Sequence, residues 1–343
     1  MGSDKPSFQL QTCVWEITLD CCFSCEYCGS KAGKAREKEL TTEECFGVAR
    51  QLADMGCNRV SLIGGEVFMR RDWHQIVKAL TDLHIGVCII SNGFIFSDQL
   101  IELIKYAGVE SVAISLDGPK SVHDRFRQSG SFERAVHAID ILTKNHIPTA
   151  VISTLHSQNI GRLEELYQVL KDKPIGAWQL QACSPMGNAA NAGIYCSFDF
   201  ASAIRFAERH LLDVSFMLGI ADNIGYFTKN EGRLRGNTSG KAFFRGCKAG
   251  LSTVGIDSIG NVRGCESMYA DCFIEGNLRE KSLRKIWEDP NAFLYNRQFS
   301  ISKLTGCCSE CKYGSICAGG CRSYNYFAHG KMYESTGCVI GKC

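Results

Sequence analysis

The first half of the chain alternates short apolar runs with longer amphipathic ones. Apolar stretches such as CVWEITL at 13–19 and VESVAISL at 109–116 have the length and β-branched content of buried strands. The stretches between them have helical periodicity, and in residues 41–56 Thr41 and Glu44 form a capping-box pattern ahead of the apolar face. Six such strand–helix units reach about residue 190 and predict a parallel sheet with helices outside it.

This repeat places the protein in the α/β class. It predicts a partial (β/α)6 TIM-type barrel, with an open doubly wound sheet as the alternative. Either fold puts chemistry at the carboxyl ends of the strands. The residues predicted at those ends are 21–28, 64–66, 91–93, 115–118, Ser153 and 181–183.

The regular alternation of strands and helices stops near residue 190, and the chain is therefore predicted to have three parts. Residues 1–190 form the barrel domain, and residues 191–245 a helical bridging region in which 198–218 is read as a helix. Residues 246–343, where cysteines and strand–turn patterns dominate, form a second, small domain.

Composition and charge argue against nucleic-acid and membrane partners and indicate metal sites. The net charge is +2, so no strong field attracts nucleic acid or anionic lipid. No apolar run has the length of a signal-peptide core or a spanning helix, and we expect a cytoplasmic protein. Twenty cysteines in a long chain of this kind indicate metal sites, because thiolates suit iron–sulfur clusters or zinc.

Three cysteines stand close together in the loop after the first strand. Cys21, Cys25 and Cys28 have the spacing C-x3-C-x2-C. Three thiolates leave one iron of a [4Fe–4S] cluster without a protein ligand, and a small molecule can chelate that iron. Cys22 with Cys25 and Cys28 is an alternative triple, and a zinc knuckle is the alternative metal site, although no fourth ligand is obvious nearby.

The triple, with Tyr27 inside it, resembles the radical S-adenosylmethionine (SAM) superfamily. The GGE at 64–66 resembles the loop that grips the SAM amino group, and residues 114–132 resemble the fourth-strand region of peptide-modifying members. The resemblance implies that one electron splits SAM into a 5′-deoxyadenosyl radical, which takes a hydrogen atom from the substrate. The SAM-binding residues that it implies are Tyr27, Gly64, Gly65, Glu66, Ser91, Asn92, Ser115, Asp117 and Ser153.

The C-terminal cysteines resemble the SPASM extension of radical SAM enzymes, which holds two auxiliary [4Fe–4S] clusters. The motif runs C-x12-G-x4-C from Cys247, then C-x2-C-x5-C-x3-C from Cys308, and ends with Cys338. By position, one implied cluster has the ligands Cys308, Cys311, Cys317 and Cys338, and the other has only Cys247, Cys265 and Cys321. The fourth ligand position of this three-thiol cluster is open to substrate, or it is filled by a carboxylate, by water or by one of Cys183, Cys196, Cys272, Cys307 and Cys343. Structural zinc is the alternative for all seven.

Two further residues are candidates for catalysis. Cys183 ends the sixth strand and could donate a hydrogen atom to a substrate radical, or it is simply a buried thiol. Glu266 follows Cys265, where sulfatase-maturating relatives carry an aspartate as proton acceptor, or it is a surface glutamate. We read His123 and Asp124 as loop structure, and Cys13, Cys45, Cys57 and Cys88 as core.

The resemblance implies an oxidoreductase-type maturase that installs a crosslink, an epimerised residue or a dehydrogenated residue in a precursor peptide. A small-molecule substrate, such as a tetrapyrrole, a sugar alcohol or a cofactor precursor, is the alternative, and a non-enzymatic iron–sulfur relay is the third. Only twelve residues precede the first strand, so we expect leader recognition by a separate protein, by residues 191–245, or not at all. The expected electron donor is a flavodoxin or ferredoxin, with no nucleic-acid or membrane partner.

Overall fold

The computed structural model describes residues 8–193, 199–236, 243–335 and 337–340. Within these residues ten strands form one sheet, in the order β10-β9-β8-β1-β2-β3-β4-β5-β6-β7. The strands are β1 (Thr12–Glu16), β2 (Arg59–Ile63), β3 (Gly86–Ser91), β4 (Ser111–Ser115), β5 (Thr149–Leu155), β6 (Ala177–Ala182), β7 (Met217–Ile220), β8 (Thr253–Ile256), β9 (Asn261–Arg263) and β10 (Gly276–Asn277).

Strands β1 to β7 are parallel and lie side by side in chain order. A doubly wound sheet would reverse its strand order at a switch point, and this sheet does not. The predicted α/β partial barrel is therefore confirmed, and the open doubly wound alternative is wrong. All of these strands end at the same edge, where the site lies.

Helices cover the outer face. In α1 the predicted capping box is present: Glu44 N donates to Thr41 Oγ1 at 3.2 Å, and Thr41 N donates to Glu44 Oε2 at 2.8 Å. Its buried residues recur at helical spacing, so one face packs on the sheet. The helices are α1 (Thr42–Asp54), α2 (Trp73–Asp82), α3 (Asp98–Ala107), α4 (Lys120–Phe126), α5 (Ser131–Lys144), α6 (Leu163–Leu170), α7 (Ala189–Ala192), α8 (Phe200–His210), α9 (Glu231–Leu234), α10 (Leu283–Trp287), α11 (Leu294–Arg297), α12 (Gly314–Cys317) and α13 (Arg322–His329). None of the helices described is long and apolar enough to cross a membrane.

The region between the predicted domains contains a strand that the sequence analysis missed. Helix α8 ends at His210, and Met217 begins β7, which pairs in parallel with β6. The prediction of one helix over 198–218 is therefore wrong beyond His210, and residue 198 itself lies outside the described residues. A short apolar run suits a strand or a helix equally well, and here the free edge of β6 selects the strand.

The C-terminal region continues the same sheet on its other side. Strand β8 pairs in parallel with β1, with Thr253 opposite Thr12, and β9 pairs antiparallel with β8. Arg36 strengthens this junction, because its guanidinium donates to Glu16 on β1 and to Ser258 just after β8. The predicted boundary at residue 246 stays a prediction, and the sheet runs across it.

Candidate active site

A cavity of about 410 Å³ opens at the carboxyl ends of β1 to β6. Parallel strands present their C-terminal loops at this one edge, so residues far apart in sequence meet there. Ten of the predicted site residues line the cavity: Cys21, Cys25, Tyr27, Cys28, Gly64, Gly65, Ser91, Asn92, Ser115 and Cys183. Four residues that were not predicted site residues line it as well: Arg127, Thr154, Asn223 and Ser267.

The loop after β1 brings the predicted thiols to one wall of this cavity. The N–H of Phe23 donates to Sγ of Cys21 at 3.4 Å, which stabilises negative charge on that sulfur. Cys22 is not among the cavity-lining residues, and its sulfur accepts a hydrogen bond from the Asn92 side chain at 3.5 Å. The placement therefore favours Cys21 over Cys22 as the third member of the triple.

Two glycines let the loop after β2 lie directly against the exit of β1. A Cβ at Gly64 would lie 2.4 Å from the carbonyl oxygen of Thr18, and one at Gly65 would lie 2.2 Å from that of Asp20. Since these atoms belong to the backbone, no larger residue fits at either position. The backbone of this turn reaches the cavity, as the predicted amino-group-binding loop requires.

The carboxylate of Glu66 is fully buried and is bound by the end of β3. Asn92 N donates to Oε2 at 2.7 Å, and the Ser91 hydroxyl donates to Oε1 at 2.9 Å. Burial raises the pKa of Glu66 to about 7, although these hydrogen bonds act to lower it. Glu66 thus connects two neighbouring strand ends, and its direct contact with SAM stays a prediction.

Asp117 does not line the cavity but binds three residues that do. Its buried carboxylate accepts hydrogen bonds from the Tyr27 hydroxyl, from Arg127 Nε, and from Thr154 N at 2.7 Å. Burial acts to raise the pKa of Asp117, but the charge of Arg127, the charge of His123 and the hydrogen bonds from Arg127 and Tyr27 together outweigh it, and the pKa is lowered. Asp117 is therefore ionised, and it fixes two side chains that line the cavity.

His123 and Ser153, which lie near this carboxylate, make hydrogen bonds to other parts of the protein. His123 and Asp124 lie in helix α4, so the prediction of a loop is wrong; His123 Nδ1 accepts from Asp117 N at 3.1 Å. Ser153 is fully buried, and its hydroxyl accepts from Trp178 Nε1 at 2.9 Å. Its predicted contact with SAM stays a prediction.

The two predicted catalytic residues lie in different surroundings. Cys183 lines the cavity, and burial followed by the charge of Asp117 raises its pKa to about 12, so the thiol keeps its hydrogen at neutral pH. Glu266 is not among the lining residues and is only 5 % exposed, so the surface alternative is wrong. Neither of its carboxylate oxygens has a hydrogen-bond partner in the described structure, and burial, then the charge of Glu16, raises its pKa well above the usual range.

The C-terminal thiols gather into two groups, within each of which they interact electrostatically. The first group contains Cys308, Cys311, Cys317 and Cys338, and the second contains Cys247, Cys265 and Cys321. Soft thiolates in sets of three and four are the donor chemistry of iron–sulfur clusters, so the residues fit such groups. In the part of the chain that is described, no set of cysteine, histidine or acidic side chains is spaced to hold a single metal ion.

The predicted fourth ligands of the second group are dispersed. Cys183 lies in the barrel cavity, Cys272 is exposed, and Cys307 is disulfide-bonded. Cys196 and Cys343 lie outside the described residues. Which residue completes this group stays a prediction.

Ser267 connects the cavity with the segments that carry the second thiol group. Ser267 lines the cavity and stands two residues after Cys265. Its carbonyl oxygen accepts a hydrogen bond from the hydroxyl of Ser323, which stands two residues after Cys321. A substrate in the cavity therefore lies beside the segments that carry two of the three thiols.

These features define an α/β-barrel enzyme with a cysteine-rich iron–sulfur region at its C-terminal end. Residues 15–170 match the radical SAM superfamily, and residues 247–312 match SPASM, an iron–sulfur cluster-binding domain. The chain is a radical SAM enzyme with a C-terminal SPASM domain. Its cofactors are SAM, the [4Fe–4S] cluster that binds SAM, and auxiliary [4Fe–4S] clusters.

Similar proteins of known name fall into two kinds. AdoMet-dependent heme synthase of Methanosarcina barkeri is 28 % identical over 332 residues, which cover 94 % of this chain and 93 % of that protein. Mycofactocin maturase MftC of Mycolicibacterium smegmatis is 27 % identical over 331 residues, with 92 % and 78 % covered. Sporulation killing factor maturation protein SkfB of Bacillus subtilis is 30 % identical over 199 residues, with 58 % and 48 % covered.

Solved structures share the fold. Streptococcus suis SuiB bound to S-adenosylmethionine has a TM-score of 0.76 at 17 % identity, covering 95 % of this chain and 76 % of that one. Native anSMEcpe with bound AdoMet has a TM-score of 0.69 at 18 % identity, with 95 % and 93 % covered. At these identities the likeness establishes the architecture.

Proposed function

We propose that this enzyme modifies a precursor peptide by SAM-derived radical chemistry. Two named relatives, MftC and SkfB, are maturases, which supports a peptide as the substrate class. The product is a thioether or carbon–carbon crosslink, a dehydrogenated residue or an epimerised residue. A reducing cytoplasm suits the many thiols, and the electron donor is a flavodoxin or ferredoxin.

The chain's own residues hold and orient the reactants. Cys21, Cys25 and Cys28 would hold the cluster that binds SAM, and the backbone of Gly64 and Gly65 would bind the SAM amino group. When bound, this cluster and SAM supply a radical that takes a hydrogen atom from a substrate C–H bond. Arg127, held in place by Asp117, presents a fixed positive charge to the cavity.

The position of Ser267 carries the proposal. An oxidative product requires the substrate to lose a hydrogen atom, then one electron and one proton, so that two electrons and two protons leave in total. Ser267 lines the cavity and stands two residues after Cys265, which supports the view that a cluster held by the second thiol group would lie near the substrate and would accept this electron. We assign leader binding to a separate protein, because residues 199–236 contribute a strand and two helices to the barrel domain.

A tetrapyrrole is the second candidate substrate. The heme synthase relative matches over 93 % of its own length, whereas MftC matches over 78 %. A peptide substrate and a tetrapyrrole substrate involve the same cofactors and differ only in the molecule that binds in the cavity. A direct comparison of substrates separates them.

The test is an anaerobic incubation of the cluster-loaded enzyme with SAM and dithionite. One arm contains short peptides encoded beside its gene, and the other contains an iron tetrapyrrole. We expect 5′-deoxyadenosine to rise with a peptide, whose mass falls by about two hydrogens or whose retention changes at constant mass. The Cys21→Ala, Cys25→Ala, Cys28→Ala variant is the control. Conversion of the tetrapyrrole alone would replace the proposal with the second candidate, and no conversion of either substrate would overturn it.

A further inference from the structure

Arg322, the residue after Cys321, is a fully buried cation. Its Nε donates to Asn296 Oδ1 at 3.0 Å, and its Nη1 donates to the carbonyl oxygens of Ala318 at 2.6 Å and Met332 at 3.1 Å. Its Nη2 has no hydrogen-bond partner in the described structure. The guanidinium is thus held rigidly, with one donor nitrogen left unused.

The guanidinium of Arg322 lies over the rings of Tyr333 and Phe299, but no described carboxylate pairs with it. A buried charge without a counter-ion costs several kcal/mol, so a fold that retains one supplies an anion. No carboxylate is among the charged groups that act most strongly on Arg322, whereas the thiols of Cys247 and Cys321 are. Asn296 fixes this arrangement, because its Nδ2 donates to the carbonyl oxygen of Cys247 at 3.3 Å. The guanidinium is therefore tied to the segments that carry two thiols of the second group.

Tyr295 provides a second unused donor at the same place. Its hydroxyl is buried and finds no acceptor among the described residues. A Cβ at Gly264 would lie only 2.0 Å from this oxygen, so the hydroxyl lies directly against the residue that precedes Cys265. The ring packs against a small apolar cluster that also contacts Cys247 and Cys265.

We propose that Arg322 and Tyr295 donate hydrogen bonds to an iron–sulfur cluster held by Cys247, Cys265 and Cys321, and so raise its reduction potential. The inference rests on the proposed function, which assigns these three ligands. Reduction adds negative charge to a cluster, and a fixed cation with a hydroxyl donor stabilises that charge. The donors satisfy the cluster's sulfur atoms, which are acceptors, and the cluster supplies the counter-ion that Arg322 lacks.

Carboxylates lie near both thiol groups, because Asp222 acts on Cys321, Glu266 on Cys265 and Glu334 on Cys308. The charged groups that act most strongly on Cys308 include no cation. Its one hydrogen-bond donor in this part of the structure is the N–H of Ser335, at 3.3 Å. Because Arg322 and Tyr295 would add two donors to the cluster beside the cavity, we expect it to be the more easily reduced of the two auxiliary clusters.

The test is a redox titration followed by electron paramagnetic resonance. The full chain carries Cys21→Ala, Cys25→Ala and Cys28→Ala, so that only the auxiliary clusters remain. In this background Tyr295→Phe removes the hydroxyl, which has no acceptor, and keeps the ring. Arg322→Lys keeps the positive charge but removes the planar guanidinium and its set of N–H donors. Tyr106→Phe, at a tyrosine that is 66 % exposed on α3, is the matched control.

We expect two reduction steps, of which Tyr295→Phe lowers the higher one. A tenfold fall in the ratio of reduced to oxidised cluster at a fixed potential corresponds to a shift of about 59 mV for a one-electron couple. Arg322→Lys should shift the same step, while Tyr106→Phe shifts neither. Adding Cys308→Ala, which disrupts the first thiol group, should leave unchanged the reduction step that responds to Tyr295→Phe.

Two results would overturn the inference and are distinguishable. Unchanged midpoints in Tyr295→Phe, with iron and sulfide contents equal to the parent's, would overturn the role of these donors and leave the proposed function standing. A parent that binds no iron in this background would overturn the ligand assignment and the inference together. Because Tyr295→Phe keeps the packed ring, the test remains decisive if Arg322→Lys fails to fold.

Discussion

The backbone N–H of Asn92 donates a hydrogen bond to Oε2 of Glu66 at 2.7 Å, and this bond joins the loop after β2 to the end of β3. The Ser91 hydroxyl adds a second bond to the same carboxylate at 2.9 Å. Asn92 also lines the cavity, whereas Glu66 does not. A substitution of Glu66 would therefore alter the cavity indirectly, through the position of Asn92.

This relationship predicts a pH dependence of stability. The pKa of Glu66 is about 7 in the folded protein against 4.5 for the reference group, so the folded state binds the proton more tightly than the unfolded chain. The contribution of Glu66 to the free energy of unfolding therefore falls by roughly 3 kcal/mol as the pH rises from 4.5 to 7. Glu66→Gln, which cannot titrate, should flatten that slope in urea denaturation of the cluster-loaded protein. Glu102→Gln, at an exposed position, should keep the parent's slope; identical slopes in all three proteins would contradict the prediction.

Asp117→Asn should destabilise the protein by about 3–5 kcal/mol, because it leaves Arg127 buried without its counter-charge. Urea denaturation of variant and parent measures this difference. Asp140→Asn is the matched control: Asp140 is half exposed and pairs with Lys173, so its loss should cost less than about 1 kcal/mol. Equal losses in the two variants would show that Asp117 does not balance a buried charge.

Iron analysis can assign the second thiol group. We expect Cys321→Ala to bind about four fewer iron atoms per chain than the parent, because one cluster is lost. Cys88→Ala, at a thiol outside both groups, should bind as much iron as the parent. Cys272→Ala should also retain all of its iron, since Cys272 is exposed; loss of one cluster there would identify it as the fourth ligand.

Cys183 can be tested by isotope labelling. A thiol that donates a hydrogen atom exchanges with solvent, so an epimerised peptide formed in D2O would carry one deuterium. We expect Cys183→Ala to lose this deuterium while it still forms 5′-deoxyadenosine, and Cys57→Ala, at another buried cysteine, to behave as the parent. Epimer with full deuterium content from Cys183→Ala would exclude the role.

The strand–helix alternation and the capping box of α1 were predictable because both depend on neighbours within a few residues. The same holds for the thiol spacings that carried the family resemblance. Strand β7 was not predictable, because the edge of β6 decides its conformation and lies about forty residues away. The pairing of Thr12 with Thr253 is likewise decided by contacts between distant segments.

The sequence by itself determined the class of fold, the groups of cysteines and the chemistry that they serve, since periodicity and ligand spacing are local properties. Only the tertiary structure decided that Glu66 binds the end of β3, that Glu266 is buried, and that Arg322 and Tyr295 have buried, unused donors near the second thiol group. Burial and hydrogen-bond satisfaction depend on which distant segments pack together, and no local pattern encodes them.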